Sequence, residues 1–204
     1  MNKQINENHI SLLTRAFAKD PMFIHLFSNQ KRERQMKSLI RFIIKRNHLL
    51  DGLILTDHAT KPSYIAIVDR PSNLTNVSIK AKINLNIEML LLVLKLPFRV
   101  LRYLTKYQKV TFSNAPNEPH YYLTMIGVDP SYQGKGIGKK VLKQLDEIAA
   151  SSPISYSISL DTENQQNVAF YERFGYELRN TTIIDGLSVY CMTKSKESNH
   201  YNVT

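Results

Sequence analysis

Apolar residues recur along the chain with two periods, and the switch between them marks the elements. Over residues 11–18 (SLLTRAFA) they follow helical spacing, and Asp20-Pro21 closes the segment. A short apolar piece follows at 22–27 (MFIHLF). A second helix is predicted over about 31–50, with Met36, Leu39, Ile40, Ile43 and Ile44 on one face and Lys and Arg on the other. Gly52 suits its C-terminal cap. Residues 53–56 and 63–68 read as strands, and the polar stretch 57–62 between them makes an antiparallel hairpin. After a polar loop at 71–76, residues 77–107 read as mostly helical. The Leu-rich run 83–96 is broken by Pro97, and Arg99, Arg102, Lys106 and Lys109 give the next helix a basic face. That face is either a solvated surface or a cover over a bound ligand.

The second half alternates strand and helix. Residues 120–128 form a strand, which Asp129-Pro130 ends because proline donates nothing to the ladder. An amphipathic helix follows, with Ile137, Val141, Leu145 and Ile148 at helical spacing. Residues 155–160 are the next strand, so the pair is parallel with a right-handed crossover. A third helix runs over about 166–174 and stops at Gly175. Asp185-Gly186 then joins strands 176–184 and 187–193 as a hairpin. The predicted fold is α/β (α+β) with a central mixed sheet flanked by helices. Its N-terminal half is antiparallel, its centre holds one parallel pair, and it ends in a hairpin. Residues 1–194 are expected to form a single domain, with a frayed polar tail at 195–204.

Composition narrows the class. At 204 residues the chain can bury a sizeable core. The single Cys191 excludes an internal disulfide and suits a reducing, cytoplasmic setting. The apolar run 89–94 is bracketed by Glu88 and Lys95, too short to span a membrane, so no membrane partner is expected. The net charge of +10 is spread along the chain without an aromatic-interleaved basic repeat, which argues against specific nucleic-acid recognition. Neither His9, His25, His48, His58, His120 and His200 nor the one cysteine offers zinc-type spacing, so no metal is expected.

The chemistry concentrates after the central strand. Gln133-Gly134-Lys135-Gly136-Ile137-Gly138 puts three glycines just ahead of a helix, where main chain can approach a ligand closely. The first helical N–H groups lack helical partners and favour anions; Lys135, Lys139 and Lys140 add positive charge. This reads as a pyrophosphate cradle. It is not a Walker loop, since Lys139 stands where the second Gly is needed and no hydroxyl residue follows. The dinucleotide fingerprint fails at the same lysine. What remains is Q-x-x-G-x-G behind a strand, and this resembles the acetyl-CoA signature of the GNAT superfamily of N-acyltransferases. A second stretch extends the resemblance: Asn167, Phe170-Tyr171 and Phe174-Gly175-Tyr176 are similar to the family's N-x-x-x-x-Y-x-x-x-G-F, with Tyr176 in place of Phe. Residues 16–27 (AFAKDPMFIHLF) and Leu160-Asp161-Thr162 resemble the branch that includes puromycin acetyltransferase-like proteins, without naming puromycin as the substrate.

The resemblance implies an acetyl-CoA-dependent N-acetyltransferase acting on a primary amine of a small molecule by direct attack. It implies a cofactor site along Ile126, Gly127 and Val128, at Gln133, Gly134, Lys135, Gly136, Ile137, Gly138 and Lys139, and at Asn167 and Tyr171. Tyr171 would protonate the departing thiolate; the alternative is a packed tyrosine with its hydroxyl bonded. Asp161 is the first candidate for the base and Glu163 the second, each alternatively an ammonium binder or a helix cap. Asn167 is either a helix cap or a cofactor contact. Other readings keep the fold and change the role: acetylation of a protein N-terminus or lysine, or a catalytically idle CoA-binding regulatory module. A homodimer stays open.

Overall fold

In the computed structural model, which describes residues 6–28, 30–71 and 77–196, the helices are α1 (Glu7–Ala16), α2 (Pro21–Leu26), α3 (Arg32–Leu49), α4 (Ile79–Val93), α5 (Phe98–Asn114), α6 (Ile137–Ser151) and α7 (Gln165–Glu172). The strands are β1 (Leu53–Thr56), β2 (Tyr64–Asp69), β3 (His120–Val128), β4 (Ser157–Thr162), β5 (Glu177–Ile184) and β6 (Leu187–Ser195). The strands form one sheet in the order β1-β2-β3-β4-β6-β5. Only β3 and β4 run parallel; every other neighbouring pair is antiparallel. The predicted architecture is therefore the observed one.

Two apolar layers hold the sheet. On one face, Ile65, Ile67, Met125, Val189 and Cys191 bury against side chains of α1, α2, α3 and α5. On the other, Ala66, Val68, Leu123, Ile158, Leu160 and Met192 bury against Val141, Leu142 and Leu145 of α6 and Tyr171 of α7. Removing this apolar surface from water is the main force that seats the helices.

Local chemistry explains several boundaries that periodicity misses. Asp20-Pro21 does more than end α1: the Asp20 carboxylate accepts the Met22 and Phe23 N–H groups and Pro21 begins α2. The piece at 22–27 is thus a short helix. Gly52 is not the left-handed cap of α3. Asp51 takes that conformation at φ 55°, and Gly52 instead packs its bare Cα on the Asn47 amide. The basic helix runs on to Asn114, beyond the expected 107. β6 reaches Ser195, and the Lys196 N–H donates to the Tyr156 carbonyl, so order continues past residue 194. The rest of the expected tail, at 197–204, and most of the loop, at 72–76, lie outside the described residues. The Asp185-Gly186 hairpin is as predicted, with φ of 48° and 89°.

Helix α4 is held less tightly. Leu92 is its one buried residue, and Glu88 pairs with Lys45 of α3 at 2.6 Å. Ile79, Ile83, Ile87, Leu90 and Leu94 are exposed along its outer side.

Strand β3 carries one irregularity that matters for function. Its register against β2 steps from Ile67↔Met125 to Val68↔Leu123, so Thr124 is an extra residue. The step reverses the facing of the strand. Tyr121 and Leu123 before it, and Ile126 and Val128 after it, all pack on the α6 side. Met125 faces the opposite layer. So does Gly127, whose missing Cβ would sit 2.6 Å from Leu13 Cδ2 and 3.2 Å from Ala16 Cβ of α1. Leu13 is fully buried and has nowhere to move. Gly127→Ala should therefore destabilise the protein by about 1–3 kcal/mol through overpacking, lowering the melting temperature by roughly 2–10 °C. An unchanged thermal melt would mean that α1 does not sit against this residue.

Candidate active site

The site begins where two parallel strands part. Pairing of β3 with β4 runs from His120↔Ser157 to Leu123↔Leu160 and stops there. Beyond it, β3 keeps β2 as a partner through Val128, while β4 continues beside β6, with Asp161 opposite Cys191 and Thr162 opposite Tyr190. The β4-facing edge of residues 124–128 is left without a strand. Such an edge offers main-chain groups to an extended ligand, and in open sheets the carboxyl ends of parallel strands are where ligands bind.

At the mouth of this gap lies the loop before α6. Asp129 accepts the Ser131 N–H and hydroxyl and starts a 3-10 turn at Pro130–Tyr132. Arg15 of α1 pairs with it at 2.5 Å and holds its carboxyl down to about 2. The Gln133 amide turns back to the Val128 carbonyl at 3.1 Å, so this side chain braces the loop. Gly134 and Gly136 both take φ of 74°, which is strained for any other residue type. A Cβ at either would meet nothing within 4 Å, so open space lies over the loop. No side chain caps α6, which leaves its first N–H groups directed at that space. Lys135 and Lys139 are exposed around it, Lys135 lying over the Tyr132 ring at 5.0 Å. Gly138 lies against α7: its absent Cβ would be 3.4 Å from Phe170 Cζ. These residues fit an anionic diphosphate held by main-chain donors.

The opposite wall carries carboxylates. Asp161 and, just beyond β4, Glu163 both receive the Tyr107 hydroxyl of α5, and the Tyr122 hydroxyl of β3 donates to Asp161. As residues, Asp161 and Glu163 are half-buried, and protein closely surrounds both carboxyl groups. Burial, and then the Glu163 charge, holds Asp161 well above the usual carboxylate range. Burial, and then the charge of Asp20, pushes Glu163 up to about 8. Tyr107 and Tyr122 are site residues that sequence patterning did not single out; nothing in the spacing tells which tyrosines will face a carboxylate across the sheet.

Tyr171 sits on the other side of the gap, buried in the α6–α7 layer with its ring edge-on to Phe170 and Tyr176. Burial raises its phenol pKa, and the charges of Asp161 and Glu163 raise it further. Tyr171 thus belongs to the α6–α7 layer, and the two carboxyl groups meet α5 on the other face of the sheet. Asn167 does not cap α7; Asn164 does, accepting the Gln166 N–H. The Asn167 amide instead donates to Thr162 Oγ1 at 3.2 Å, tying α7 to the end of β4. Ile126 and Val128 point to the α6 layer and Gly127 to α1, so what they offer the gap is backbone. The basic side of α5 is not simply solvated: Arg99 donates to the Leu26 carbonyl at 3.1 Å and Lys106 pairs with Asp185 at 2.5 Å. His120 binds the Glu118 carbonyl at the far end of β3.

Comparison with known proteins bears on this geometry. Residues 104–176 match the model of the acetyltransferase (GNAT) family. A 57-residue stretch is 35% identical to N-alpha-acetyltransferase RimI of Mycobacterium tuberculosis, covering 28% of this chain and 35% of that protein. The fold is similar to a crystal structure described as histone acetyltransferase HPA2 and related acetyltransferase from Corynebacterium glutamicum, with TM-score 0.63, 20% identity, and coverage of 92% of this chain and 89% of that one. It is also similar to arylalkylamine N-acetyltransferase 2 from Aedes aegypti, with TM-score 0.66, 13% identity, and coverage of 93% and 94%. At these identities the structural likeness establishes the fold, the mixed sheet expected from the sequence.

The carboxylates also make a prediction about stability. Glu163 binds its proton more tightly folded than unfolded, so the folded state loses stability as pH rises from the unfolded pKa toward the folded one, roughly pH 5 to pH 8. Urea denaturation across that range should give a smaller fall for Glu163→Gln than for the parent chain. Parallel slopes would mean that Glu163 is solvated.

Proposed function

We propose that the chain belongs to the acetyltransferase (GNAT) family, whose model residues 104–176 match, and that it is an acetyl-CoA-dependent N-acetyltransferase acting on a primary amine of a small molecule. The observation that carries this reading is the parting of β3 and β4, with raised-pKa carboxylates on one wall and a protonated phenol on the other.

Acetyl-CoA supplies an activated acetyl thioester. Gly134, Gly136, Gly138 and the N–H groups of the first turn of α6 hold its diphosphate, with Lys135 and Lys139 nearby. The free edge of 124–128 takes the extended arm. An alkylammonium has a pKa around 10 and must lose a proton before it can attack. One carboxyl of the Asp161–Glu163 pair, in the molecules where it is ionised, receives that proton; its raised pKa makes the ionised form a stronger base than an ordinary carboxylate and lowers the fraction of molecules that carry it. Main-chain N–H groups near Ile126 to Val128 supply donors where negative charge develops. Tyr171 keeps its proton at neutral pH and gives it to the leaving thiolate. Burial, and then Asp161 and Glu163, push the Cys191 thiol up to about 12, so it stays protonated, which favours direct transfer over an acyl-cysteine. Holding the two reactants together contributes most of the rate.

A second reading, acetylation of a protein N-terminus, draws on the identity with RimI over 57 residues. Thiol release measured with amines and with short peptides separates the two. A chain that binds acetyl-CoA and releases no thiol with either would be an idle binding module.

Tyr171→Phe should lower kcat by about a hundredfold and leave the acetyl-CoA dissociation constant unchanged by calorimetry; equal turnover would take Tyr171 out of the acid role. Gly136→Glu puts a side chain and a negative charge into the cradle at positive φ, and acetyl-CoA binding should disappear. Retained binding would place the diphosphate elsewhere.

A further inference from the structure

Helix α4 presents an apolar side that the rest of the described fold does not cover. Ile79, Ile83, Ile87, Leu90 and Leu94 are each more than half exposed. On a helix these five positions fall within about 80° of the circumference and run about 22 Å along the axis. Phe98, four residues on at the start of α5, is 79% exposed as well. The opposite side of α4 faces α3: Glu88 pairs there with Lys45, and Leu92 is buried. The outward side is thus a convex ridge, and apolar surface of this extent marks an interaction site.

Charge decides what the ridge meets. Over residues 79–114 seven Lys and Arg stand against one acid, Glu88, and that acid is turned inward to Lys45. Lys80 and Lys82 are exposed at the start of the ridge and Lys95 at its end.

A second, independent observation is a groove. It opens between α3 and the end of α4, encloses about 620 Å³, and is lined by Arg34, Lys37, Arg41 and Lys95. Its one acid, Glu33, pairs with Lys37 at 2.5 Å, and Arg41 pairs with Glu7 at 2.6 Å. Arg34 and Lys95 have no acidic partner among the described residues. Lys95 directly follows Leu94, so this cationic groove borders the apolar ridge.

A second copy of the chain does not complement such a side. Two α4 helices packed antiparallel would bring Lys80 and Lys82 of one copy to Lys95 of the other, at both ends, and like charges brought together oppose association. A convex ridge also offers no cleft for a peptide. Apolar residues between cations, with an anion-sized groove beside them, match a lipid surface that carries negative charge.

We propose that α4 lies along the surface of an anionic bilayer, its ridge sunk among the upper acyl chains and a lipid phosphate seated at Arg34 and Lys95. Lys80 and Lys82 reach back to the level of the headgroups. With 15 residues α4 is too short to cross a bilayer, and no described helix is long and apolar enough to do so. A helix lying in the interface needs only an apolar side. The shortness of the run 89–94 therefore argues against a span and not against this attachment. The attachment is independent of acetyl transfer.

Flotation of the whole chain with lipid vesicles tests this. The protein should float with vesicles of one-third phosphatidylglycerol in phosphatidylcholine. It should bind phosphatidylcholine alone about tenfold or more weakly, and added salt should weaken the anionic binding. The double variant Ile87→Ser, Leu90→Ser should lower binding to the anionic vesicles about tenfold or more. Arg34→Gln with Lys95→Gln should lower it about twentyfold, roughly fivefold for each charge, and leave binding to phosphatidylcholine unchanged. All four positions are exposed, so both variants should melt with the parent chain. No flotation, equal binding to the two kinds of vesicle, or flotation indifferent to Ile87→Ser, Leu90→Ser would overturn the proposal. So would a dimer in sedimentation equilibrium that this variant dissolves, since the ridge would then be an interface between copies.

Discussion

One extra residue in the central strand sets the geometry of the site. Thr124 bulges out of the β2–β3 ladder at the step where β3 loses β4 as a neighbour. A bulge bends its strand and increases the local twist, and here the bend coincides with the opening between the two parallel strands. It also reverses which way the strand faces. Before the bulge, Tyr122 reaches across to Asp161 on the side of the N-terminal helices. After it, Ile126 and Val128 pack toward α6. A single strand thus contributes a side chain to the acidic wall and bare backbone to the gap, which an unbroken period of two does not allow.

The electrostatics follow from that opening. Isolated carboxylates cannot be buried charged at reasonable cost, and their pKa values rise until they hold protons. Asp161 and Glu163 meet the condition by taking hydroxyl donors from two directions, α5 and β3. Burial, and then charge on that pair when one of them ionises, raises Tyr171 and Cys191 as well. Base, acid and inert thiol are therefore all shaped first by burial. The diphosphate end is opposite in character: exposed, glycine-rich, and cationic through main-chain N–H groups and lysines.

The two helices ahead of β3 serve different purposes. α5 is pinned to α2 by Arg99 and to the β5–β6 turn by Lys106, which fixes Tyr107 against the two carboxyl groups. α4 rests on α3 through a narrow seam and turns Ile83, Ile87, Leu90 and Leu94 outward. That apolar side is continuous along about three turns, more than scattered exposed residues would make.

Much of the fold was readable from order and period alone. The hairpins, the parallel pair, α3 and α6 came from alternation, helical spacing and turn chemistry, because each is decided within a dozen residues. The glycine loop was readable too, since positive φ and an uncapped helix start are local properties of Gly134, Gly136 and the residues after them. The helical character of 22–27 and the left-handed turn at Asp51 escaped because a cap and a packing contact outweighed simple residue preference. The acidic wall was only half legible. Asp161, Glu163 and Tyr171 lie close together in the chain, whereas Tyr107 and Tyr122 reach the two carboxyl groups from 39 or more positions away. Which tyrosine meets which carboxylate depends on a bulge and on the seating of α5, and those are consequences of packing across the whole sheet, not of any one stretch of chain.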